Sequence, residues 1–161
     1  MNGDKPFALG AVLEYLYKDD YDDLKEPQGF SFQLILHAEV LMLADKYNLP
    51  ALAQLTRDKI SAEMDSYLET GEMDSTFVMP IRAIFAAADD VFSKEVKDII
   101  VGKICSTEGK MESSASMTDA TKSVPRLAAA VALLFLKRFA DPVTSQAQVE
   151  ARRRRLLNLA T

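Results

Sequence analysis

Between Gln33 and Tyr47 the residues Leu36, Val40, Leu43, Ala44 and Tyr47 recur at i, i+4, i+7, i+8 and i+11, the spacing of a helix with one buried face. That helix has to stop near Asn48, because Pro50 disfavours a helical conformation at Leu49 and then supplies the first-turn residue of a second helix over 50–64. The two helices therefore join through a very tight corner. Leu52, Leu55, Ile60 and Met64 form the expected core side of the second one, with Arg57, Asp58 and Glu63 facing water.

The same periodicity runs through most of the chain and predicts a mainly α protein. Residues 7–17 (FALGAVLEYLY) place Leu9, Val12, Leu13 and Leu16 on one face, with Pro6 just outside the helix start. Residues 65–75 (DSYLETGEMDS) read as a linker and a plausible boundary. Phe77, Ile81, Ile84, Phe85 and Ala88 form another stripe, with Ser75 or Thr76 as cap and Pro80 confining regular helix to the residues after it. Ser93 caps a helix over 94–105 with Val96, Ile99, Ile100 and Ile104 inside. Eight of the 18 residues from Ser106 to Ser123 are serine or threonine, which predicts a mobile loop. Pro125 opens a last helix through about Phe139, and Asp141-Pro142 closes it. The ten-residue apolar run Leu127 to Leu136 falls short of the about 20 residues of a bilayer span and reads as a buried helix.

Composition excludes several chemistries. With Cys105 as the only cysteine and His37 as the only histidine among 161 residues, no intrachain disulfide and no zinc site of the cysteine–histidine type can form. A reducing, intracellular compartment, cytoplasmic or nuclear, is the natural reading. The first residues, MNGDKPFALG, lack the basic-then-apolar pattern of a secretory signal. No glycine lies in a GxGxxG or GxxxxGK[ST] arrangement, so nothing cradles a phosphate. The acidic stretch with Glu14, Asp19, Asp20, Asp22, Asp23 and Glu26 lacks the central glycine and closing glutamate of a calcium loop, and reads as a solvated turn.

His37 is the one candidate general base, yet no nucleophile motif surrounds it or Cys105. A helix-end or partly packed histidine and a buried inert thiol are the expected roles. No catalytic, cofactor or metal residues are therefore assigned. The net charge of −5 divides unevenly: residues 150–161 carry +3 and the rest −8. An acidic body repels phosphate backbones. The run Arg152, Arg153, Arg154 and Arg155 reads as a solvated helix end, a nuclear-import signal or a nucleic-acid contact. No membrane partner and no small-molecule substrate are expected.

Two stretches carry a resemblance to a known family. LEYLYKDDYDD, Leu13 to Asp23, resembles the "ylYtgdY" segment of BTB (POZ) domains, with Lys18-Asp19-Asp20 where the family has Thr-Gly-Asp. LHAEVLMLADKYNLPALAQLTRDKI, Leu36 to Ile60, resembles the family's "lha.vy.lAdkY.i..L..la..k." helix pair, particularly in filamentous-fungal proteins. The resemblance continues more weakly through helices 77–88, 94–105 and 126–139. It implies the helical C-terminal half of a BTB/POZ (α+β) fold at 1–64, a linker at 65–75, a helical extension at 76–140 with its loop at 106–123, and a basic tail at 141–161. The family's opening strands and helices, with most of its homodimer surface, have no counterpart here. The chain begins after them, so helix faces that they would cover are expected to need another cover.

What the resemblance implies about function is a non-enzymatic protein-interaction module that forms a homodimer or docks other proteins, including the cullin scaffold of ubiquitin ligases. Tyr17, Asp19, Asp20, Tyr21 and Tyr47 are the candidate partner-contact residues, with simple packing of Tyr17 and Tyr47 as the alternative. The second functional reading is a helical nuclear regulator whose Arg152–Arg155 tail contacts nucleic acid.

Overall fold

The structure is a computed structural model that describes residues 5–21, 29–70, 74–87, 91–106 and 115–140. Among these, seven helices and no strand are present: α1 (Pro6–Lys18), α2 (Phe30–Lys46), α3 (Pro50–Thr70), α4 (Ser75–Ala86), α5 (Lys94–Ser106), α6 (Ala115–Ser123) and α7 (Pro125–Ala140). The fold class is mainly α, as the periodicity predicts.

The hub is α2, which buries Leu34, Leu36, His37, Ala38, Val40, Leu41, Leu43 and Ala44 around most of its circumference. A helix apolar on all sides needs neighbours on all sides, and α1, α3 and α4 pack against it. Its expected stripe is real except at Tyr47, which is exposed at the C-terminal cap. The corner to α3 is a Schellman closure: the Leu49 N–H donates to the Ala44 carbonyl at 2.8 Å and the Asn48 N–H to the Asp45 carbonyl at 3.2 Å. Asn48 takes the left-handed conformation (φ 53°) that this closure requires. Pro50 then opens α3, which runs back antiparallel so that Tyr67 near its end meets Phe30 at the start of α2.

That meeting explains why α3 extends six residues beyond Met64, into the stretch read as a linker. Tyr67 packs tilted against Phe30 and stacks on Phe77 of α4, with ring centroids at 4.4 and 5.2 Å, and Leu68 is buried. Its hydroxyl donates to Asp74 at 3.0 Å. Asp74, and neither Ser75 nor Thr76, caps α4 by accepting the Phe77 N–H at 3.0 Å.

Pro80 lies inside α4 rather than limiting it. A proline has no N–H for the carbonyl four residues back. Here the carbonyl left over is that of Thr76, and it accepts the Ser31 hydroxyl of α2 at 2.9 Å. The expected stripe of α4 is buried at Phe77, Ile81, Ile84 and Phe85, while Ala88 lies outside the described residues.

The second layer is α5 on α3, with α7 on α5 and α6 bridging α4 and α7. Arg57 of α3 is not free in water as expected: its guanidinium grips the Glu95 carboxylate of α5 through two bonds at 2.6 and 3.2 Å. Lys103 of α5 pairs with Asp65 of α3. The segment read as a mobile loop contains α6, whose Met117 and Ala120 are buried. Arg82 of α4 ties it down by donating to Asp119 at 3.3 Å and Ser123 at 2.7 Å. The final helix buries Leu127 and Val131 but leaves Leu133 and Leu136 exposed, so it is not the fully buried helix expected of its apolar run. No helix among the described residues is long and apolar enough to cross a membrane.

Candidate functional site

Two apolar stripes compete for the inside of α1. Ala8, Ala11, Val12 and Tyr15 stand at i, i+3, i+4 and i+7, and Leu9, Leu13, Leu16 and Tyr17 at i, i+4, i+7 and i+8. The structure turns the first stripe inward, with Ala8, Ala11 and Val12 buried and Tyr15 packed against the core. Of the stripe expected to be buried, Val12 is inside, but its leucines are outside: Leu13 is 51% exposed and Leu16 57%, with Tyr17 beside them at 89%. Small residues at the contact let a helix approach closely, and Phe7 at its start meets Phe32 of α2 edge-on at 5.7 Å. Among the described helices α1 rests chiefly on α2, and the later helices do not cover its leucine face. Beside that face Glu14 and Lys18 neutralise each other in an i,i+4 pair.

The chain leaves α1 through Asp19, whose left-handed conformation (φ 58°) sends its N–H back to the Tyr15 carbonyl at 2.8 Å. Asp20 then accepts the Tyr21 N–H at 2.8 Å and faces the Lys59 ammonium at 3.3 Å. The Tyr21 N–H chiefly holds this carboxyl below its ordinary value; desolvation, the next influence, opposes it, and Lys59 adds to the lowering. Lys59 also donates to the Tyr21 carbonyl at 3.0 Å and lies 4.7 Å from the centre of its ring.

Tyr21 itself is fully buried, which removes it as a direct partner contact. Its hydroxyl reaches His37 Nδ1 at 2.9 Å and Thr56 Oγ1 at 3.4 Å. Thr56 in turn donates to the Leu52 carbonyl at 2.8 Å. A Tyr21 hydroxyl that donates to Thr56 takes its shorter bond from a His37 Nδ1–H, giving a relay of donors that ends on backbone. His37 and Thr56 are both buried. The histidine is thus packed more deeply than a helix-end role implies, and bulk solvent does not reach it.

Of the five partner-contact candidates, the structure brings Asp20 and Tyr21 together on Lys59, with Asp19 and Tyr17 just before them. Tyr47 stands at the end of α2, where the Lys46 ammonium lies 5.4 Å from its ring centre. Neither exposed tyrosine is buried in the core. Asp22, Asp23, Glu26 and Arg152–Arg155 lie outside the described residues. Cys105 is buried. No cluster of three or more metal-ligating side chains occurs among the described residues.

Sequence reasoning missed Thr56 and Lys59. A signal for the first exists, since Leu52, Thr56, Ile60 and Met64 share one i+4 row, and a lone hydroxyl in an apolar row asks for a partner. Lys59 carries no such mark, because its partners lie 38 and 39 residues away. No family model, curated protein or solved structure matches this chain.

Proposed function

We propose that the chain is a non-enzymatic protein-interaction module of the BTB/POZ type that dimerises through the leucine face of α1. The observation carrying this reading is that face: an apolar stripe of Leu9, Leu13, Leu16 and Tyr17 left in water beside a neutralised Glu14–Lys18 pair. Contiguous exposed apolar surface marks interaction sites. A face with little uncompensated charge along its helical part suits a second copy of itself, since a two-fold interface sets the same patch against itself. The burial of His37 and Cys105, the only candidate base and thiol, supports a role without catalysis. The resemblance of residues 13–23 and 36–60 to BTB domains supports the family reading.

Burying the exposed half of one leucine stabilises by about 1 kcal/mol. A two-fold dimer buries Leu13 and Leu16 from both copies, so replacing both by aspartate weakens it at least about a thousandfold. Light scattering over a concentration series tests this. The wild type is expected to rise toward twice the monomer mass and Leu13→Asp/Leu16→Asp to stay monomeric with an unchanged helical spectrum. A wild type that stays monomeric at every concentration, or a double variant that dimerises equally well, overturns the reading.

A further inference from the structure

A second surface, on helices that take no part in the α1 face, has a different chemistry. Between α5 and α7 runs an open groove of about 590 Å3. Its floor is apolar, formed by Phe85, Val101, Ala130, Leu133 and Leu134. Its rim carries Lys94 and Lys97 from α5 and Arg126 and Lys137 from α7, with one carboxylate, Asp98, among the described lining residues. Among the described residues the lining holds four cations to one anion, on a chain whose net charge is −5.

We infer that this groove docks an acidic amphipathic helix of a partner protein. The shape argues for a helix over a small molecule. A small-molecule site encloses most of its ligand, whereas Leu133 in this groove is 60% exposed. An occupant must therefore bring an apolar side for the floor and keep a polar side in water, which is the helix-in-groove mode of recognition. The length agrees: Arg126 and Lys137 are 11 residues apart on α7, a span of about 16 Å, or three turns of a docked helix. The charge selects the partner. Cations on both walls draw carboxylates on both flanks of the incoming helix and repel basic ones. The chain's own segment with Arg152–Arg155 has the wrong sign for the role.

The test uses the full chain and a fluorescein-labelled peptide about four turns long, with leucines at i, i+3, i+4 and i+7 and glutamates along both flanks. Fluorescence anisotropy should show saturable binding that weakens with salt, and at least tenfold weaker binding of the same peptide with lysines for glutamates. Lys97→Glu/Lys137→Glu should weaken the glutamate peptide at least tenfold with the helical spectrum kept. Amide shifts of the wild type, independent of any variant, should map to α5 and α7. Equal binding of both peptides, undiminished binding by the double variant, or shifts centred on α1 overturn the inference. So does Leu133→Asp abolishing self-association, which would make a second copy the occupant. Loss of the α1 dimer alone leaves the peptide result untouched, so the two readings fail separately.

Discussion

Replacing Tyr21 by phenylalanine deletes one oxygen from the centre of the molecule and keeps the ring that fills the space. The loss has two parts. The 2.9 Å bond to His37 contributes about 1 kcal/mol net, and leaving the Nδ1 of a buried imidazole against a phenyl edge costs a further about 1–2 kcal/mol. The 3.4 Å contact with Thr56 is long and adds little. Tyr21→Phe should therefore destabilise by about 2–3 kcal/mol, and for a domain of this size the melting temperature should fall by about 5–10 °C. Thr56→Val keeps the shape and loses the long contact and a bond to its own helix, so it should cost less, at most about 1 kcal/mol. Urea unfolding followed by far-UV circular dichroism measures both. A cycle of Tyr21→Phe with His37→Leu should show coupling above about 0.5 kcal/mol, since the pair is in contact. A Tyr21→Phe variant within about 0.5 kcal/mol of wild type, or one less affected than Thr56→Val, would refute the relay as the reason for this histidine's place in the core.

At the α2–α3 corner, Asn48→Gly should be neutral or slightly stabilising, whereas Asn48→Val should cost about 1–2 kcal/mol because a β-branched side chain resists positive φ; equilibrium unfolding reads both. Two carboxylates should give opposite pH signatures in melting curves. The Phe77 N–H holds Asp74 below its ordinary 3.8, so its stabilisation is complete above that value and disappears as pH falls through the lower folded-state value; Asp74→Ala should thus differ most from wild type near neutrality. Burial pushes Glu39 above its ordinary 4.5, with Lys5 at 3.5 Å only partly opposing it. Its ionised form therefore costs stability at neutral pH, and Glu39→Gln should be the more stable protein there, with the gap closing as pH falls below 4.5.

Much of the helical framework was legible. The stripe from Leu36 to Ala44, the stop at Asn48, the restart at Pro50 and the Ser93 start of α5, where its hydroxyl accepts the Val96 N–H at 3.4 Å, all follow from local pattern and proline stereochemistry. The misreadings share a cause. Residues 65–70 look like linker until Tyr67 finds Phe30 and Phe77, partners 37 and 10 residues away. Residues 115–123 of the serine-rich stretch look mobile until Arg82 holds Asp119 and Ser123 and Met117 enters the core. Pro80 looks like a helix start until Ser31, on another helix, takes the Thr76 carbonyl it leaves over.

The candidate site divides the same way. From the sequence alone come the mainly α class, the order of the principal helices, and the absence of a second cysteine or histidine with which to build a metal or disulfide site. Which face of α1 meets the core was decided only in three dimensions. Both of its apolar stripes satisfy the helical period, and the period carries no information about where the neighbouring helix lies. The alanine stripe faces inward because small side chains permit close approach to α2, and the leucines are left outside as the surface on which the proposed dimer rests. The depth of His37 was decided likewise, by a tyrosine and a threonine that only the packing of α1, α2 and α3 brings within reach.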